Sequence, residues 1–170
     1  MPSASPTAMP EPLRAKILIL SDACSRGGRE DLSGPAVREV LEVHGWVIVD
    51  SKIMADDFAL IRTTLDEWLA AGGCDVVFTS GGTGLGPRDV TPEATRAVIE
   101  KEIPGLSELM RAEGLKKTRR AALSRGLAGV RGGMLIVNLP GSPRGARVSL
   151  ESIIDLVPHA VDIAQGRTRH

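Results

Sequence analysis

Residues 76–95 read VVFTSGGTGLGPRDVTPEAT. Val76-Val77-Phe78 is an apolar run, and Thr79-Ser80-Gly81-Gly82-Thr83-Gly84 is a glycine-rich loop. Arg88-Asp89 is a charged turn, and Thr91-Pro92 opens a helix, with Thr91 as the expected N-cap and Pro92 in the first turn. A strand, a glycine loop and a helix N-terminus in series present bare backbone N–H groups to an anion. Asp89 would repel a bare phosphate. It fits better beside a phosphate-bound cation or as a positioning group.

The flanking sequence repeats the strand–helix alternation. Ile17-Leu18-Ile19-Leu20 is a short buried strand, and residues 21–31 are a polar loop. Ser33 can cap a helix with Val37, Val40 and Leu41 on its apolar face, stopped by Gly45. Residues 46–53 form a second strand. Asp56 or Asp57 caps a helix whose Phe58, Ile61, Leu65, Trp68 and Leu69 recur at helical spacing. The helix after Thr91 is expected to run to about Glu102 before Pro104, with another over residues 106–113 and a basic helix over 116–125. Residues 127–138 read as a strand, a Gly132-Gly133 turn and a strand. Ser142-Pro143 opens the last long helix, and Pro158 a short final one. The expected fold class is α/β: a three-layer α/β/α sandwich, its sheet mostly parallel with one antiparallel edge strand. Residues 1–13, rich in Pro, Ser and Ala, read as a disordered leader, leaving 14–170 as a single domain.

Composition narrows the function. Twenty-one basic residues balance 21 acidic ones, which argues against general nucleic-acid binding. No stretch approaches the length of a membrane span, and no apolar signal segment is readable. Cys24 and Cys74 read as free thiols of a cytoplasmic protein. The P-loop Lys-Ser or Lys-Thr is absent, and Gly82, Gly84 and Gly86 have the wrong spacing for a dinucleotide fingerprint. No Cys/His cluster has zinc-ligand spacing, and no Ser-His-Asp set is readable. In an open α/β sheet ligands sit beyond the carboxyl ends of strands. The loops 21–33, 80–91 and 138–142 converge there.

The stretch resembles the molybdopterin adenylyltransferase family, the MogA/MoaB-type proteins of molybdenum-cofactor biosynthesis. The resemblance rests on Gly81-Gly82-Thr83-Gly84 followed at fixed spacing by Arg88-Asp89-Val90-Thr91-Pro92-Glu93-Ala94-Thr95. It extends from Ile17 to about Ala164 and takes in Ser21-Asp22, Asp31, Leu123-Ser124-Arg125 and Asn138-Leu139-Pro140-Gly141.

The resemblance implies Asp56 and Asp89 as catalytic aspartates, also the candidate ligands of a magnesium ion. From sequence alone Asp56 reads as a helix N-cap and Asp89 equally as a turn carboxylate paired to Arg88. By the same resemblance, Gly81, Gly82, Thr83, Ser124 and Asn138 line the pterin and phosphate side, and Asp22 and Asp31 the nucleotide side. Lys116, Lys117, Arg119, Arg120 and Arg125 form a basic cluster, read as a solvated face or as an aid to a phosphate-bearing substrate. Gly114 stands where relatives often carry serine, with Thr118 as a candidate replacement hydroxyl.

The implied reaction moves AMP from ATP to the terminal phosphate of molybdopterin, with Mg²⁺, releasing pyrophosphate. The alternatives are a non-catalytic molybdopterin carrier of the same fold and a nucleotide pyrophosphatase. The resemblance also implies a homotrimer and dealings with other molybdenum-cofactor proteins.

Overall fold

The computed structural model describes residues 10–167. Its strands are β1 (Arg14–Leu20), β2 (Val47–Met54), β3 (Val76–Ser80), β4 (Lys101–Glu102), β5 (Ala128–Arg131) and β6 (Met134–Leu139). Its helices are α1 (Asp22–Ser25), α2 (Ser33–Val43), α3 (Phe58–Ala71), α4 (Thr91–Arg96), α5 (Pro104–Leu115), α6 (Pro143–Ile153) and α7 (Val157–Ala164). A 3-10 turn spans Arg119–Leu123.

One six-stranded sheet runs in the order β2-β1-β3-β6-β5-β4. β2, β1, β3 and β6 are parallel, and β5 is antiparallel to both β6 and β4. The expected antiparallel edge is present, bordered by the two-residue β4. Side chains alternate across the central strands. Ile17, Ile19, Phe78 and Val137 face a core shared with α2, α5, α6 and α7, while Leu18, Leu20, Val77 and Ile136 face one shared with α3 and the α4 region. Both faces are covered, so these strands carry near-continuous apolar runs, broken by Thr79, Ser80 and Asn138 toward the carboxyl ends. Phe78 is fully buried and meets Trp46 edge-on at 5.8 Å. Burial of such a ring contributes about 2–3 kcal/mol.

Several expectations need correction. Residues 1–9 of the expected leader lie outside the described residues. Leu13 is already part of the fold, packing on the core while its carbonyl accepts from Val47 N–H at 2.9 Å. The first loop contains a short helix, α1. Asp31, not Ser33, caps α2, because its carboxylate accepts from the N–H groups of both Ser33 and Gly34. α4 ends at Arg96 rather than near Glu102, because Lys101 and Glu102 pair with β5 instead. Thr91 does not cap α4: Val90 is the N-cap, and the Thr91 hydroxyl donates to Gly81 O at 2.9 Å. The basic segment is a 3-10 turn with an extended Thr118 before it, not a continuous helix.

The strand order reverses direction between β1 and β3. β1 crosses over to β2 on one side, and the chain then returns to β3 on the other. This switch point opens a crevice at the carboxyl ends of the strands. The glycine loop follows β3 directly into it.

Candidate active site

Four chain segments meet at this crevice. At its centre the glycine loop is held by its neighbours. Gly81 has φ +105°, and a Cβ there would lie 2.2 Å from Leu20 O. Only glycine permits the loop to touch the end of β1 this closely. Gly81 N–H donates to Leu139 O at 3.1 Å, and Thr91 N–H donates to Gly82 O at 3.1 Å. Gly81 therefore acts as scaffold, while Gly82 and Thr83 line the cavity.

The remaining glycines make room for carboxylates. A Cβ at Gly82 would meet Thr91 Oγ1 at 2.2 Å first and then Asp56 Oδ1 at 3.0 Å, so this glycine admits the α4 threonine as well as the aspartate. One at Gly84 or Gly86 would meet Asp89 Oδ2 at 2.9 or 3.0 Å. The loop is thus a seat for the two aspartates that the resemblance singled out.

Asp57, not Asp56, caps α3, accepting from Leu60 N–H at 2.9 Å. This leaves Asp56 for other work. Its Oδ2 accepts from Asp22 N–H at 3.1 Å, while its Oδ1 is buried without any hydrogen-bond partner. Burial pushes the Asp56 carboxyl above its ordinary value, and the charges of Asp22 and Asp89 add to the rise. Asp89 is exposed in part, and its Oδ2 accepts from Gly86 N–H at 2.8 Å. Arg88 does not pair with Asp89. It forks onto Asp22, with Nε and Nη2 each 3.0 Å from a carboxylate oxygen. That fork holds Asp22 below the usual carboxylate range.

A cavity of about 640 Å³ extends from Gly82, Thr83 and Asp89 to α5 and the start of α6. Ser124 lines it, and its hydroxyl accepts from Gly126 N–H at 3.4 Å. Asn138 lines it too, but its side chain is committed. Its amide donates to Thr79 Oγ1 and Thr95 Oγ1 at 2.9 and 3.0 Å, and its Oδ1 accepts from Leu127 N–H at 3.2 Å. With both amide hydrogens used within the protein, Asn138 braces the pocket lining to β3 and α4. Asp22 and Asp31, expected on the nucleotide side, both make bonds within the protein. Asp31 caps α2, and Asp22 is occupied by Arg88 and by Asp56 N–H.

The basic cluster divides. Arg125 donates to Gly84 O at 2.8 Å and Asp89 O at 3.0 Å, and it pairs with Glu93, whose carboxyl it lowers. It is the clamp of the glycine loop. Lys116 pairs with Glu113 at 2.8 Å. Lys117 and Arg120 line the cavity, joined by Arg111 and Arg144, which the sequence reading did not single out. Helical periodicity could have found part of this set: Ser107, Met110, Arg111 and Gly114 fall at i, i+3, i+4 and i+7, one face of α5. Gly114 has a packing reason of its own. A Cβ there would sit 2.8 Å from Ala121 Cβ, so glycine lets the 3-10 turn approach α5. Thr118 Oγ1 accepts from Arg120 N–H at 3.3 Å, and Thr118 also lines the cavity.

Residues 16–159 match the family described as "Probable molybdopterin binding domain". The chain belongs to the MogA/MoaB family of molybdenum-cofactor proteins. It is 43% identical over 152 residues to the molybdopterin adenylyltransferase of Helicobacter pylori J99, covering 88% of this chain and 86% of that protein. It is 43% identical over 148 residues to the Drosophila melanogaster molybdenum cofactor synthesis protein cinnamon. That alignment covers 86% of this chain but only 25% of the longer fly protein. Among solved structures, the molybdopterin biosynthesis enzyme MoaB of Thermus thermophilus superposes with a TM-score of 0.86 at 49% identity. The match covers 91% of this chain and 97% of that one. The MogA/MoaB resemblance read from residues 76–95 and the three-layer fold it implied are both borne out.

Magnesium can be tested against this MogA/MoaB site. An unpartnered, buried carboxylate oxygen on Asp56, with Asp89 close enough to raise its pKa, fits a hard cation. Among the described residues no group of three or more His, Cys, Asp or Glu could hold a metal by themselves.

Proposed function

We propose that this protein is a molybdopterin adenylyltransferase, acting on molybdopterin and ATP. The observation that carries the reading is a cavity lined by Gly82, Thr83 and Asp89, with the buried, unpartnered Oδ1 of Asp56 directly beside Gly82. The family and its curated adenylyltransferase members support it.

In this reading the pterin lies along the cavity toward α5. The terminal phosphate points to Gly82, Thr83 and Asp89, where Lys117, Arg120 and Arg144 contribute positive charge. A phosphate oxygen of molybdopterin attacks the α-phosphorus of ATP. The new P–O bond joins AMP to molybdopterin, the α–β bridging bond breaks, and pyrophosphate leaves with that electron pair. No covalent enzyme intermediate is required. Positioning and charge neutralisation supply the catalysis. Asp56 and Asp89 would hold magnesium, which neutralises the triphosphate and stabilises the leaving pyrophosphate. Arg125 keeps Asp89 in place by bonding its carbonyl and that of Gly84.

The protein works as a single molybdopterin-binding domain over residues 14–170 and as a homotrimer that exchanges substrate with other molybdenum-cofactor proteins. It acts in the cytoplasm, in keeping with free thiols at Cys24 and Cys74. Among the described residues no helix is long and apolar enough to cross a membrane.

The test is AMP transfer from labelled ATP to purified molybdopterin with magnesium, on wild type and Asp89→Asn. Transfer by wild type should fall about 100-fold or more in the variant, the usual scale for losing a key electrostatic group. Molybdopterin binding should persist. Pterin binding without any nucleotide turnover would make the protein a carrier. AMP release without pterin would make it a hydrolase.

A further inference from the structure

Asp22 and Asp56 belong to different loops, 34 residues apart, yet they bond each other twice. Asp22 N–H donates to Asp56 Oδ2 at 3.1 Å, and Asp56 N–H donates to Asp22 Oδ1 at 3.0 Å. Each carboxylate thus holds the other residue's backbone. Two such charges side by side would separate if nothing balanced them. Arg88 supplies the balance from a third loop, 66 residues from Asp22, with both bonds of its fork at 3.0 Å. A bidentate fork fixes the plane of a carboxylate as well as its charge. The plane of Asp22 in turn sets the backbone position of Asp56. With Oδ2 occupied, Asp56 keeps one oxygen free, the buried Oδ1 beside Gly82.

We propose that Asp22 and Arg88 are positioning residues that act through Asp56. They lock its backbone and one oxygen so that only Oδ1 is left for the reaction. This rests on the adenylyltransferase reading. It also explains why the arginine directly preceding Asp89 turns away from it: pairing there would quench the second carboxylate of the site. Arg88 is largely solvent-exposed, with its side chain at 61% accessibility, and exposed ion pairs contribute little to stability. The pair is therefore expected to act on geometry more than on folding.

The experiment compares Arg88→Ala, Arg88→Lys and Asp22→Ala with wild type. Loss of a partner that orients a ligand carboxylate lowers activity by about 10- to 100-fold. That drop should appear in kcat, with KM for molybdopterin and the thermal midpoint close to wild type. Lysine keeps the charge without the fork, so Arg88→Lys should recover only part of the loss. Guanidinium ion added at non-denaturing concentration should raise kcat in Arg88→Ala and leave Asp22→Ala unchanged. A second readout needs no turnover. The amide proton resonances of Asp22 and Asp56, both donated to carboxylates, should move in Arg88→Ala.

Full activity in Arg88→Ala, a loss confined to KM, or unmoved amide resonances would each overturn the proposal. Wild-type protein that transfers no AMP sinks the adenylyltransferase reading instead. The amide resonances then decide whether the lock itself exists.

Discussion

Asp75 and Asp56 sit at opposite ends of the same sheet, and the contrast between them separates structure from function. Asp75 precedes β3 at its amino end and is 7% exposed. Both its oxygens are satisfied: Oδ2 accepts from Arg14 N–H at 2.9 Å, and Oδ1 accepts from Gln165 Nε2 at 3.0 Å. Asp56 lies in the loop after β2, at the carboxyl end. One of its oxygens is satisfied and the other is buried without a donor. Folding alone would not favour that arrangement, because an unsatisfied buried acceptor loses its water for nothing. Asp75 ties β1 and the C-terminal region to the sheet. In the proposed adenylyltransferase, Asp56 Oδ1 is the oxygen left for a bound cation.

The largest effect expected from this contrast is on stability at Asp75. Asp75→Ala removes the acceptor for Arg14 N–H and for Gln165, and should cost about 2–3 kcal/mol in denaturant unfolding. AMP transfer per folded molecule should stay near wild type, since the residue lies at the far end of the sheet. Lost activity with unchanged stability would erase the division between the two ends.

Asp56 should show the opposite sign. Its carboxyl is raised above the ordinary value of 3.8, chiefly by burial. The folded state therefore binds its proton more tightly than the unfolded chain does. Ionisation then favours unfolding. The penalty is absent well below the ordinary value, grows as pH rises through the interval up to the raised one, and is complete above it. Asp56→Asn should accordingly raise the thermal midpoint near neutral pH, with a gain that shrinks in acid, while AMP transfer is lost. Such a trade between stability and activity is common where a site is built at the expense of the fold. A lower midpoint in Asp56→Asn at neutral pH would mean that the carboxylate is structural after all.

This contrast also explains what was legible in the sequence. The central strands were readable because both their faces are buried, giving continuous apolar runs at 17–20 and 76–78. The glycine loop was readable from its composition. Less visible were side chains whose task depends on distant partners. Asp31 looks like any loop acid, yet it caps α2. Arg88 adjoins Asp89 in sequence, yet it bonds Asp22, because the turn at residues 84–88 carries it across the crevice. Asn138 reads as a polar group at a strand end, but buried neighbours from β3, α4 and the start of β5 use up its amide. The true end of α4 is hidden in the sequence because Lys101 and Glu102 have no strand signature. They become a strand only because β5 offers an open edge.

The smallest expected effect is also the sharpest test of what an unpartnered atom means. Ser107, on α5, is 4% exposed, and its hydroxyl is the second buried side-chain group found without a partner among the described residues. Like Asp56 Oδ1 it is buried, but it is neutral, and Ser107 itself lines the cavity. Ser107→Ala removes the unsatisfied hydroxyl and substitutes a better helix former, so stability should rise by about 0.5–1 kcal/mol. If molybdopterin binding is unchanged in this variant, an orphaned atom marks function only where charges gather around it, as they do at Asp56. If binding weakens while stability rises, the hydroxyl waits for substrate in the same way as Asp56 Oδ1.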